Sequence, residues 1–232
     1  MYAARTTAKV AGILFIAASA LAIVGGSLLS PLGASDYLSE VAASEGQVVS
    51  GALLETLLAV SVFAIAATLF PILRRHNEGM ALGYVGMRVV EGVFIGAAAT
   101  SGLLVLSLSR NAGAGAEPLG TVLLAARDWT YLIGTMFVFG LSALMLNAML
   151  YRSRLVPVWL SAWGFIGGAL LVARAVAELF GQEFSGAVQG VFAAPIGLQE
   201  MVLAVWLIVK GFEVSHLPTP MLEGLTIAKP KG

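Results

Sequence analysis

The sequence predicts an all-α fold, a polytopic transmembrane bundle of six helices, on three observations. The 232-residue chain is 59% hydrophobic and 11% charged, well below the roughly 25% charge of a soluble domain. Its mean hydropathy is +0.92. Six stretches each approach or exceed the ~20 mostly apolar residues that a helix needs to cross a bilayer core.

The spans are expected at Val10–Leu32, Val48–Leu73, Met80–Leu108, Trp129–Leu150, Val156–Leu179 and Gly190–Phe212. Arg5 and Lys9 precede the first, and Ala18-Ser19-Ala20 resembles a cleavage site. Apolar sequence continues to Leu32, too long for the h-region of a signal peptide, so a retained helix is expected. The third span is long enough to tilt or to project from the membrane. Between the first two spans, Gly33–Gln47 carries Tyr37, Leu38, Val41 and Ala42 at helical spacing, which fits a short interfacial helix or an ordinary polar connector. Asn111–Pro118, rich in Gly and Ala, reads as a flexible loop. Residues 1–212 thus form one transmembrane domain, and 213–232, with Pro218, Pro220 and Pro230, an extended cytoplasmic tail.

Arg5, Lys9, Arg74, Arg75, Arg152, Arg154, Lys210, Lys229 and Lys231 all fall on one side if the spans alternate. The positive-inside rule then places both termini in the cytoplasm. The opposite loops hold Asp36, Glu40, Glu45, Glu117 and Glu183, with Arg110 and Arg127 as their basic residues. Trp129, Tyr131, Tyr151, Trp159 and Trp163 lie near span ends, as an aromatic belt does. Gly164, Gly167, Gly168 and the small-residue run Gly96–Gly102 suit close helix packing.

Composition excludes several classes. Thirteen basic and thirteen acidic residues cancel, and no basic stripe interleaved with aromatics invites nucleic acid. Cysteine is absent, which removes thiolate metal sites and cysteine nucleophiles. His76 and His216 lie outside the spans, so no haem or metal ligand set is expected and no cofactor is assigned. Lys210 sits at a helix end, which leaves no mid-membrane lysine for a Schiff base. Neither a Gly-x-Ser-x-Gly elbow nor a phosphate loop is present.

The informative residues are the charges inside the spans: Glu55, Arg88, Glu91, Asp128, Arg174, Glu178 and Glu200. A charge at a helix centre costs roughly 2.5–3.5 kcal/mol on insertion scales, so each must be paired, wet or functional. Arg88 and Glu91 are three residues apart and Arg174 and Glu178 four apart, each pair on one helix face. At about 1.5 Å per residue, Glu55, Glu200, Asp128, Arg174 and Glu178 are expected to share an outer depth band, with Arg88–Glu91 in a deeper layer. The pairs also suit a purely structural role in fixing helix register, and Asp128 suits a helix cap. Five carboxylates face two arginines in this set, so three acids lack a basic partner within the spans. Such groups are candidates to hold a proton or bind a cation. Glu55-Thr56-Leu57-Leu58-Ala59-Val60 and Glu200-Met201-Val202-Leu203-Ala204-Val205 match well, but six apolar residues do not establish a repeat.

Ala8-Lys9-Val10-Ala11-Gly12, Arg88-Val89-Val90-Glu91, Tyr151-Arg152-Ser153 before Pro157, and Glu200 followed by Trp206-Leu207-Ile208-Val209-Lys210-Gly211 carry a resemblance over nearly the whole chain. The chain resembles the bacterial domain-of-unknown-function family 4386. The resemblance implies a multi-helix protein of the bacterial cytoplasmic membrane without an assigned activity, and maps the family's polar membrane residues onto Arg88, Glu91 and Glu200. Some members carry a histidine in the fourth span, where this chain has Phe139-Gly140-Leu141-Ser142; chemistry that needs that histidine is in doubt here.

Three functional classes follow. The leading expectation is a small transporter or binding protein that admits a proton, small cation or amphiphile toward Glu55, Glu200 and Arg174–Glu178. The second is a structural or accessory subunit that binds another membrane protein or its own copies. An intramembrane lipid-acting enzyme, with Glu55 or Glu200 as acid or base, is the least supported.

Overall fold

The computed structural model describes residues 2–111, 113 and 115–213 and is all-helical there. Its helices are α1 (Tyr2–Leu28), α2 (Tyr37–Ala43), α3 (Glu45–Leu73), α4 (Glu78–Ser109), α5 (Ala116–Tyr131), α6 (Phe139–Ser153), α7 (Val158–Leu179) and α8 (Gly186–Val209). A π-helical turn, Leu132–Val138, joins α5 to α6. Among the described residues, six helical stretches are long and apolar enough to cross a membrane. The fourth, Ala116–Ser153, is one continuous 38-residue stretch made of α5, the π turn and α6. It begins thirteen residues before the expected Trp129, so the last three residues of the expected Asn111–Pro118 loop and all of 119–128 are helix, and Arg127 belongs to a span.

The spans close into a ring. α1 packs on α3, α3 on α4, α4 on α5, the π turn and α6, α6 on α7, α7 on α8, and α8 back on α1. We call the end where α3 begins and α4 ends the upper end. Glycines set the closest approaches, because a Cβ would meet the neighbouring backbone. A Cβ on Gly12 of α1 would lie 2.6 Å from the Ala204 carbonyl oxygen of α8, and one on Gly167 of α7 would lie 2.8 Å from the Ile196 nitrogen of α8. Gly167→Leu is therefore expected to force α7 from α8 and cost ~1–3 kcal/mol by overpacking; thermal unfolding in detergent, beside Gly190→Leu where a Cβ meets nothing, checks this.

The main apolar cluster fills the lower half around Phe15, Ile65, Leu69, Tyr84, Leu146, Leu160, Leu203 and Leu207. A second cluster of Leu29, Leu32, Val41, Val48, Val105 and Leu106 lies at the upper end. There Val41 of α2 is fully buried, and Tyr37 donates its hydroxyl to the Glu117 carbonyl at 2.8 Å. Of the two expectations for the first connector, the short helix is therefore the one the structure contains, with α2 packed on α4. Asn77 caps α4 by accepting from the Met80 N–H at 2.9 Å. α8 ends at Val209, and Gly211 at φ 79° turns the chain so that Phe212 joins the core. The expected tail lies outside the described residues except for Glu213.

Candidate functional site

The intramembrane charges gather at three places. At the ring centre, Arg88 of α4 donates from Nη1 to both Glu91 oxygens at 3.2 and 3.3 Å and from Nη2 to Glu200 Oε1 of α8 at 3.4 Å. The Arg88, Glu91 and Glu200 side chains are 2%, 4% and 16% exposed. Helical spacing puts Glu91 one turn above Arg88 on the same face. Glu200 comes from across the ring. Two rings flank the guanidinium, Tyr84 at 5.5 Å and Phe139 at 5.1 Å, in cation–π range. Its Nε has no hydrogen-bond partner among the described residues. These contacts are longer than the ~2.7–2.9 Å of a tight charge-assisted bond.

Nearer the upper end, Glu55 of α3 receives a two-pronged contact from Arg127 of α5, Nη2 to Oε1 at 2.5 Å and Nη1 to Oε2 at 3.0 Å. Nη1 also donates to the Ala98 carbonyl at 2.6 Å. This is the planar fork that arginine makes with a carboxylate. The third place is on α7, where Arg174 Nε donates to Glu178 Oε1 at 2.9 Å and Nη1 to the Gln189 carbonyl of α8 at 3.3 Å.

The expected outer band therefore divides. Glu200 leaves it for the Arg88–Glu91 layer, because α8 begins at Gly186 and not Gly190, which sets Glu200 deeper. Glu55 has a cross-helix partner in Arg127, a residue first placed in a loop. Asp128 does not cap the fourth span: it lies within α5, exposed on the face turned away from Arg127's partners. The charge balance changes accordingly. Among the described residues, facing inward are four carboxylates, Glu55, Glu91, Glu178 and Glu200, against three guanidinium groups, Arg88, Arg127 and Arg174. One acid is in excess, not three, and it belongs to the central triad.

The π turn makes this arrangement. Arg127 and Phe139 are twelve residues apart, so in an unbroken α-helix they would point about 120° from each other. An i→i+5 turn accommodates one extra residue, which turns the chain below it back by about 100°. Arg127 then meets Glu55 while Phe139 meets Arg88.

Sequence reasoning missed Arg127 as a site residue, and also a buried amide network. Gln199 Nε2 donates to Asn147 Oδ1 and to the Leu160 carbonyl, both at 3.2 Å, and Asn147 donates to the Ala143 carbonyl at 2.9 Å. Two amides within apolar spans were the available signal. A Cβ on Gly164 would strike the Asn147 amide, so that glycine makes room for it.

A cavity of about 110 Å³ adjoins the triad, with Phe15, Ala22, Leu58, Ile95, Thr135 and Phe139 among the residues completing its wall. It holds a few waters or one small polar group. Glu55 and the Arg174–Glu178 pair do not line it. Among the described residues, no group of three histidine, aspartate or glutamate side chains is placed to hold a metal ion.

Neither the curated proteins nor the solved structures contain a match to this chain. The family model described as a domain of unknown function, DUF4386, matches residues 10–211, and the chain belongs to that family.

Proposed function

We propose that this membrane protein is a small transporter or binding protein whose site is the Arg88–Glu91–Glu200 triad, and that its ligand is a proton or a cation. One observation carries the reading: two carboxylates share one guanidinium beside a cavity. In a low-dielectric surrounding an unbalanced charge is costly, and a proton or a cationic ligand supplies the missing positive charge. Glu55, sealed by Arg127 outside the cavity, has no part in this reading. The lower end, with Arg74, Arg75, Arg152, Arg154 and Lys210, supports a cytoplasmic orientation of both termini in the cytoplasmic membrane.

Proteoliposomes test it, an enclosed pH dye reading protons and radiolabelled sodium reading a monovalent cation, with a potassium–valinomycin potential driving uptake. Wild type is expected to pass protons or a monovalent cation above empty vesicles, and Glu200→Gln at least tenfold less, at unchanged elution volume and thermal midpoint. Equal flux in wild type and Glu200→Gln, together with equal equilibrium binding of labelled sodium to the two proteins, rules the reading out. The accessory-subunit reading has its own support in the Glu55–Arg127 and Arg174–Glu178 pairs, each neutral and apart from the cavity. It predicts that Glu200→Gln alters assembly with other membrane proteins and no flux.

A further inference from the structure

The walls of the cavity point to how its ligand arrives. α1 and α8 pack closely in the lower half, where Gly12 meets Ala204 and Ile208. Higher up, Ala22, Ile23 and Val24 of α1 are exposed. α1 follows α3, with Gly25 against Leu54 and Gly51 against Leu29. α8 follows α7, through Gly167 on Ile196 and through the Arg174 contact to Gln189. Pro195 lies within the upper part of α8 and removes one backbone rung from it. From Gly186 to Pro195 no residue of α8 is buried.

The cavity lies at the base of the wedge between these exposed stretches. From α1 it takes Phe15, Ala18, Ser19 and Ala22, climbing toward the upper end, but from α8 only Glu200. Ala22 is exposed and lines the cavity at the same time. The lip on α1 is apolar: Ile23, next to Ala22, is 73% exposed, as suits a side chain that faces lipid and not water. A route past such a lip admits a solute dissolved in the bilayer far better than a hydrated ion, which would shed its water there. At the base wait two carboxylates and the Phe15 and Phe139 rings, the combination that recognises organic ammonium groups. About 110 Å³ accommodates a small ammonium head and not a tail, which would remain in the wedge.

We infer that the triad binds the ammonium head of a lipophilic amine that reaches it sideways from the bilayer between α1 and α8. The inference rests on the triad being a cation site, as proposed above.

Radiolabelled decyltrimethylammonium and tetramethylammonium, with the same head and different tails, are the probes, on protein in phosphatidylglycerol nanodiscs, whose lipid carries no ammonium group, with empty nanodiscs as background. Saturable binding of decyltrimethylammonium is expected, at least tenfold tighter than tetramethylammonium. It should weaken at least tenfold in Glu200→Gln and in Ala22→Trp, which fills the wedge and leaves the triad untouched, but not in Val60→Trp on the lipid face of α3. Equal affinity for the two probes, or indifference to Ala22→Trp, overturns the sideways route. Absence of saturable decyltrimethylammonium binding overturns the amine ligand, while the proton and cation flux of wild type against Glu200→Gln decides the broader reading separately.

Discussion

Arg88→Leu is expected to destabilise the protein by about 3–5 kcal/mol, the cost of breaking a buried ion pair by removing one partner. The substitution strands Glu91 and Glu200 opposite each other without a cation, and the rings of Tyr84 and Phe139 lose the group they enclose. Arg88→Lys should recover only part of the loss, since an ammonium cannot reach both carboxylates as a planar fork does. Thermal unfolding in detergent reads this as a fall of roughly 10 °C, with a 1 kcal/mol change worth about 2–4 °C in a chain of this size. The informative control is Arg88→Leu combined with Glu91→Leu and Glu200→Leu. If the triad's cost lies in stranded charge, the triple variant regains most of the stability, because well-packed apolar groups often match a buried ion pair. A triple variant as unstable as Arg88→Leu would show that the arginine stem, and not its charge, supports the ring centre.

The second large effect is expected at Arg127. Arg127→Leu leaves Glu55 buried without a partner and frees the Ala98 carbonyl, at a cost of about 3 kcal/mol. Glu55→Gln, which keeps a hydrogen-bonding side chain of the same shape, should cost distinctly less. Flux should be spared in folded Glu55→Gln, since Glu55 does not line the cavity. Stability curves and proteoliposome assays on the same preparations separate the two sites. Loss of flux in stable Glu55→Gln would move the function upward from the triad to the Glu55–Arg127 pair.

The pairs that were legible in the sequence are those made within one helix. Arg88–Glu91 and Arg174–Glu178 follow from spacing alone, because i,i+3 and i,i+4 neighbours share a face whatever the helix packs against. Glu55 and Glu200 were legible only as carboxylates that needed something from another helix, and periodicity does not say which. Arg127 was hidden for a specific reason. Glu117, Arg127 and Asp128 make the start of the fourth span polar, so hydropathy placed the membrane boundary after them, at Trp129. The helix extends upward because Gly120 packs under Tyr37 of α2 and Ser101 of α4 donates to the Leu123 carbonyl at 2.6 Å. Those are tertiary contacts that no hydropathy window contains.

The number of spans, their approximate bounds, the side on which basic residues gather and the need to compensate buried charge were determined by the sequence itself, since they follow from transfer free energies that each residue carries with it. Which carboxylate met which arginine was decided only in three dimensions. A π turn rotated the lower half of the fourth span, an earlier start to α8 lowered Glu200 to the level of Arg88, and a cavity lined from α1, α3 and α4 lies beside them. The excess of one acid, and its location beside open space, is a property of the ring and of no single helix, because the compensation of a buried charge depends on what faces it from the other side.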